Sequence, residues 1–301
     1  MSAVLIAVIL ALALGHAVPQ LAQLRRYEVF SAWCAWLGAK LGTQGWFGGR
    51  YGIVLSLAPP LILVGALQAL FGAYLYGLPG VVFAVAVLFY CWGPRDLDLD
   101  VDAVVEAGDA DQRRRAAQVL LGTDREVRLE APTLVEGVFQ GALERWFGVL
   151  LWFLLLGPVG ALMYRLAQLG SVKPVSAALP LEHAESYVRL KAILDWPVAQ
   201  LMTLSLALAA NFDAVLAAWR TWHAERAEPW YALDVGFLGA AARVSVDCEL
   251  AEERDEAYTA DAAVPAAPAL PALKDAMSLV WRLLLLWLAV LALFVLAGFV
   301  N

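Results

Sequence analysis

The sequence predicts an all-α, polytopic integral membrane protein with about six transmembrane helices and amphipathic cytoplasmic helices, and three observations carry that reading. Hydrophobic residues make up 62% of the 301 and charged residues only 16%, with a mean hydropathy of +0.69. A soluble domain runs near 45–50% apolar and about 25% charged, so lipid must solvate some of this chain. The stretch from Tyr51 to Trp92 contains no charged residue at all. The net charge of −7 is gathered between apolar runs, mainly in two acidic stretches, 96–111 and 247–261.

The first apolar run, Ser2 to Val18, has no positive charge before it, as a signal peptide would; Arg25 and Arg26 follow it instead. That order suits a retained first helix, about 2–18, with its N-terminus outside. A span takes about 20 residues, so Tyr51–Trp92 is too long for one. Gly77-Leu78-Pro79-Gly80 marks a turn inside it, giving spans of about 52–72 and 78–92 in a tight hairpin. Further spans are expected at about 146–166 and 197–219. The latter carries Gln200, Thr203, Asn211 and Asp213, which leaves a re-entrant or protein-buried helix open. The last span, 277–301, follows an Ala/Pro linker at 262–272 that should be extended. The chain thus divides into an N-terminal membrane region (1–92), an acidic cytoplasmic segment (93–145), a central membrane region (146–219), a cytoplasmic helix and linker (220–276), and the terminal span.

Lys and Arg set orientation. They are richest in 19–51, 93–145 and 220–276, and sparse in 167–194, where only Lys173, Arg189 and Lys191 occur. Six spans put the three rich segments in the cytoplasm of a bacterial inner membrane and 167–194 on the opposite side, with a periplasmic N-terminus.

Two capping boxes mark aqueous helices: Asp109-Ala110-Asp111-Gln112, ending at Gly122, and Thr133-Leu134-Val135-Glu136. From Thr133 the apolar residues recur at helical spacing, and the opposite stripe carries Glu136, Gln140 and Glu144, with Gly137 and Gly141 beside them and Arg145 at the edge. One reading is a surface helix with its charges in water. The other is a set of carboxylates facing a cavity that binds a cation or polar ligand, since ionisable groups near membrane depth are costly. Leu194-Asp195-Trp196-Pro197 reads as a helix boundary, with Asp195 either a cap or a ligand contact.

Much chemistry is excluded. The three cysteines, Cys34, Cys91 and Cys248, have no CxxC spacing, so neither a disulfide framework nor a thiolate zinc site is expected. His16, His183 and His223 are dispersed without metal spacing, and His183, beside Glu182 and Glu185, reads as a surface residue. There is no P-loop, no dinucleotide fingerprint, no metalloprotease motif and no serine-nucleophile elbow. No basic, aromatic-interleaved patch points to nucleic acid. No catalytic residue and no metal ligand follow from the residues themselves.

Gly157-Pro158-Val159-Gly160-Ala161-Leu162-Met163-Tyr164-Arg165, preceded by Trp152-Phe153, resembles the fourth-span motif of the AmpE membrane proteins, and Leu194-Asp195-Trp196-Pro197 resembles a second signature of that family. AmpE proteins are related to CobD/CbiB, membrane enzymes that attach aminopropanol to adenosylcobyric acid. The AmpE resemblance implies a non-catalytic accessory role in β-lactamase induction, linked to muropeptide status, without a cofactor; its partners would be the bilayer and cell-wall recycling or regulatory proteins. The CobD/CbiB relation implies instead a ligase using Mg²⁺ and a nucleotide, with Glu136, Glu144, Arg165 and Asp195 as the surviving polar positions; Gln140 and Arg145 of the stripe complete the six candidate ligand-binding residues. This chain departs from the enzymes' pattern. It has Gln140-Gly141 and Glu144-Arg145 where they carry Glu-Asn and Asp-Gly, Leu166-Ala167-Gln168-Leu169-Gly170-Ser171 where they carry Asn-Thr-Leu-Asp-Ser-Met, and Gln200 where they carry an Arg. A small-solute transporter, suggested by the hairpin and the polar fifth run, is the third reading; the sequence shows no obvious inverted repeat to support it.

Overall fold

A computed structural model describes residues 2–17, 27–42, 45–73, 78–93, 96–122, 129–173, 175–226, 233–259 and 269–297. These residues form helices and no strand. They are α1 (Ser2–Ala17), α2 (Glu28–Leu41), α3 (Gly52–Ala73), α4 (Leu78–Cys91), α5 (Leu97–Val105), α6 (Ala110–Leu121), α7 (Ala131–Ala142), a π-helical turn (Leu143–Phe147), α8 (Gly148–Leu156), α9 (Pro158–Ser171), α10 (Leu181–Ala209), α11 (Phe212–Glu225), α12 (Gly236–Thr259) and α13 (Ala269–Leu296). Two compact units are formed, one from Met1–Pro94, Gly148–Asp195 and Leu291–Asn301, the other from Arg95–Phe147 and Trp196–Val290. Four stretches are long and apolar enough to cross a membrane: Gly52–Phe71, Ala131–Leu156, Leu181–Ala209 and Pro271–Leu296. Leu78–Cys91 is apolar but shorter. The six spans expected from the sequence thus reduce to four of full length among the described residues.

In the first unit, α1, α3 and α4 fall on the expected apolar runs. Pro79 sits in the first turn of α4, where its missing N–H costs nothing. The hairpin tip at 74–77 lies outside the described residues, as do 262–268 of the Ala/Pro linker. Pro59 and Pro60 lie inside α3. Pro60 cannot donate to the carbonyl of Ser56 four residues back, and the Trp33 indole N–H fills that vacancy at 3.1 Å.

The expected span 146–166 is instead a hairpin. Gly157 has φ +70°, a conformation that suits glycine, and Pro158 cannot continue the ladder, so α8 stops at Leu156 and α9 folds back alongside it. The approach is close: a Cβ on Gly160 would lie 2.1 Å from the Trp152 carbonyl oxygen, and one on Gly148 2.2 Å from the Tyr164 ring. Gln68 of α3 stitches the turn. Its Oε1 accepts from Val159 N–H at 3.2 Å, and its amide N–H donates to the Leu156 carbonyl at 3.5 Å. The 14 residues of α9 extend only about 21 Å, short of a hydrocarbon core of about 30 Å.

The fold-back corrects the expected topology. A Cβ on Gly38 would lie 2.7 Å from the Ala178 carbonyl oxygen, and Ser186 Oγ donates to the Arg50 carbonyl at 3.1 Å. Segments near 38–50 and 178–186 therefore share one end of this unit rather than opposite sides. The expected break at Pro197 is absent too. Helix α10 runs through Pro197 and ends at Ala209, and Asn211 caps α11 by accepting from Ala214 N–H at 3.0 Å. The run 197–219 is thus two helices. An interior proline removes one ladder bond, and packing on both sides holds the rest.

Of the two capping boxes, the first forms with its return bond shifted by one residue, to Gly108 rather than Asp109. Asp109 Oδ1 accepts from Gln112 N–H at 2.6 Å, Gln112 Oε1 accepts from Gly108 N–H at 3.2 Å, and α6 ends before Gly122. The second does not, because α7 begins at Ala131 with Pro132 in its first turn, which puts Thr133 inside the helix. Helix α13 begins at Ala269, so 269–272 is helical rather than extended.

His183 is fully buried, not at the surface. Its Nε2 lies 3.0 Å from Ser56 Oγ, which lies 2.6 Å from the Tyr187 hydroxyl. Cys34 is buried in the same unit, and burial pushes its thiol up to about 12. Cys91 is buried as well, while Cys248 is partly exposed.

Two outcomes follow. Because the thiolate is the nucleophile, a maleimide at pH 7.5 should modify Cys248 well before Cys34 or Cys91, as peptide mass mapping would show. Replacing Gly160 by Ala should cost about 1–3 kcal/mol in micellar unfolding through the clash with Trp152, whereas Gly49→Ala, in ordinary contact, should be near neutral.

Candidate functional site

The polar stripe lies in the second unit and is half-buried. Glu136 Oε1 is 3.0 Å from Arg243 NH1, and both side chains are more than a third exposed. Gly239 of α12 makes room, since a Cβ there would lie 3.0 Å from Glu136 Cγ. One helical turn on, Gln140 Nε2 donates to Glu144 Oε1 at 2.6 Å. The two glycines of the stripe serve packing rather than ligand access: Gly137 admits the side chain of Leu121 and Gly141 that of Leu97.

Glu144 and Arg145 lie in the π-helical turn, which inserts one residue into the helical repeat and re-aims them relative to a regular helix. Arg145 NH1 pairs with Asp100 Oδ2 at 2.6 Å. Asp100 is 2% exposed, although it belongs to a stretch that reads as aqueous. Its neighbours Leu97, Val101 and Val104 are buried, and this alternation of acid with apolar residue was the available signal. Asp98 Oδ1 accepts from the Trp281 indole N–H at 3.0 Å, and Trp281 packs on Trp146 with ring centroids 5.1 Å apart. Sequence reasoning missed Asp98, Asp100, Arg243 and Trp281. All four lie far from the stripe along the chain, and only folding brings them to it.

Arg165 and Asp195 belong to the first unit. Arg165 is 1% exposed and forms no ion pair among the described residues. Its Nε donates to the Cys91 carbonyl at 2.7 Å, and its other nitrogens reach the same oxygen and Gln168 Oε1. It thereby caps the C-terminus of α4, where a cation is favoured by the helix dipole. Asp195 is not the cap of a new helix. Its Oδ1 accepts from the Tyr164 hydroxyl at 2.7 Å and its Oδ2 from Lys191 Nζ at 2.6 Å. The Trp152 indole N–H donates to the neighbouring Leu194 carbonyl at 3.1 Å. Of the six polar positions singled out in the sequence, four therefore share one continuous helical stretch of the second unit and two lie in the first.

The chain is similar to a cobalamin biosynthesis protein. It is 28% identical over 204 residues to the protein of that description, CobD, from Chromobacterium violaceum. The match covers 64% of each chain, so this chain spans slightly less than two-thirds of the length of the curated relative. The match supports the CobD/CbiB relationship and does not show the AmpE one. No protein-family profile matches the chain, and no solved structure does.

Two ion pairs of the second unit, Arg145–Asp100 and Glu136–Arg243, should behave differently. Removing one member of a buried pair costs about 3–5 kcal/mol, while an exposed pair contributes about 0–1 kcal/mol. Asp100→Ala should therefore lower stability by several kcal/mol in a micellar unfolding titration, and Glu136→Ala by less than about 1 kcal/mol. Equal losses would remove the distinction.

Proposed function

We propose that this chain is a membrane-embedded ligase of the CobD kind, acting on an amide-forming step of cobalamin assembly in a bacterial inner membrane. The observation that carries this is the match to the Chromobacterium violaceum protein over 204 residues. The half-buried face of α7 and the π-helical turn is the surface best suited to a ligand. There the exposed Glu136–Arg243 pair can open at small cost and Gln140 and Glu144 present an amide and a carboxylate, while the buried Arg145–Asp100 pair holds the frame. The Lys191–Asp195–Tyr164 group supports the hairpin in the same way. Among the described residues no three His, Cys, Asp or Glu side chains converge, and the stripe carboxylates Glu136 and Glu144 have partners within the chain. Arg25 and Arg26 after the first helix support a periplasmic N-terminus.

The test is complementation. Expressed in a strain lacking CobD, the chain should restore growth that depends on de novo cobalamin, and Gln140→Ala together with Glu144→Ala should abolish the rescue while membrane levels hold. No rescue despite wild-type amounts in the membrane would remove the ligase reading.

One observation favours a second reading, the accessory regulator without catalysis: the stripe's side chains are satisfied by groups of the same chain, as in a site no longer used for turnover. In that case deletion would alter β-lactamase induction and muropeptide levels and leave cobalamin synthesis unchanged.

A further inference from the structure

Within the first unit, α2, α3, α4 and α9 converge on a groove of about 360 Å³, within the usual range for ligand pockets of about 300–1,000 Å³. Its walls include Val29 and Trp33 of α2, Pro60 and Leu63 of α3, Tyr90 of α4 and Leu162 of α9. The polar potential of this lining is largely spent. The Trp33 indole N–H is committed to the Ser56 carbonyl, Pro60 has no N–H, and the Tyr90 carbonyl accepts from the Tyr27 hydroxyl at 2.9 Å.

The rim is exposed and apolar: only 11% of the most apolar stretch of α3 is buried inside the protein, and Leu63 and Val29 at the groove's edge are 61% and 71% exposed. The covering helix α2 has the character of a membrane–water boundary. Trp33 stacks on Trp36 with centroids 5.4 Å apart, Lys40 lies over the Trp36 ring at 5.3 Å, and Glu28 and Lys40 mark its two ends. A concavity beneath such a helix, continuous with a lipid-solvated face and short of hydrogen-bonding partners, is filled by hydrocarbon. Water there would lose hydrogen bonds, and an empty groove would forfeit dispersion contacts along its walls.

From this geometry we propose that the groove is a lipid site that holds one acyl chain of a membrane phospholipid, clamped between α2 and the proline-bearing segment of α3. The site is separate from the polar stripe.

The test uses the full chain reconstituted in vesicles of phosphatidylethanolamine and phosphatidylglycerol, re-extracted in mild detergent and weighed by native mass spectrometry. The wild-type chain should retain one phospholipid. Val29→Trp together with Leu63→Trp, both at exposed positions, should fill the groove and reduce retention about tenfold, a loss of about 1.4 kcal/mol of affinity. Ile62→Trp, one residue away on α3 but outside the lining, should retain lipid as the wild type does. Circular dichroism of all three reports that they are folded. Lipid-free wild-type protein, equal retention in the filled and control variants, or a lipid-free dimer that the double variant dissociates would each overturn the proposal, the last by showing that a second copy occupies the groove.

Discussion

A turn of the backbone in apolar surroundings must find its hydrogen-bond partners within the protein, and in the first unit Gln68 supplies them. One side-chain amide serves both ends of the break, accepting from the first available N–H of α9 and donating to the last carbonyl of α8. The polar contacts of α9 build on the stitch. With α9 folded back on α8, Tyr164 meets Gly148 and reaches Asp195, and Arg165 reaches the end of α4. The glycines at 148, 157 and 160 are the complement of this arrangement, since any side chain at 148 or 160 would hold the two helices apart.

The two units treat charge differently. In the first, Asp195 is nearly inaccessible and shared between a hydroxyl and an ammonium, while Arg165 donates to carbonyl and amide oxygens among the described residues. The desolvation of both groups is offset only while their bonds are made. In the second, the Glu136 and Arg243 side chains are more than a third exposed, whereas Asp100 is almost fully buried against Arg145. A surface that binds a polar ligand needs groups of the first kind held up by groups of the second, and the π-helical turn puts both within a few residues.

The helical, membrane-type architecture was legible in the sequence because composition and uncharged runs respond to burial in lipid over many residues. The Asp109 capping box was legible because all its partners are local. What was not legible depended on long-range packing. Gly157-Pro158 was visible as a motif, but a kinked span and a hairpin share the same residues, and only Gln68, some ninety residues earlier, decides between them. Pro197 looked like a helix start because the local rule is sound; tertiary contacts override it. His183 looked exposed because its sequence neighbours are charged, while its spatial neighbours, Ser56 and Tyr187, face the core. The stripe was found from spacing alone, and its counter-ions were not, since Asp100 and Arg243 lie on other helices.

The hairpin also constrains the order in which the protein can be made. Helix α9 is short and carries Arg165, and an arginine at the centre of an inserting helix costs about 2.5–3.5 kcal/mol, so α9 is a poor candidate for entering the bilayer alone. Two of its stabilising partners, Gln68 and the Cys91 carbonyl, are synthesised before it, and a third, Asp195, only afterwards. A nascent chain that has just emerged through Ser171 therefore already holds the partners of Val159 and Arg165, and the ribosome must add some two dozen further residues before Tyr164 finds its carboxylate.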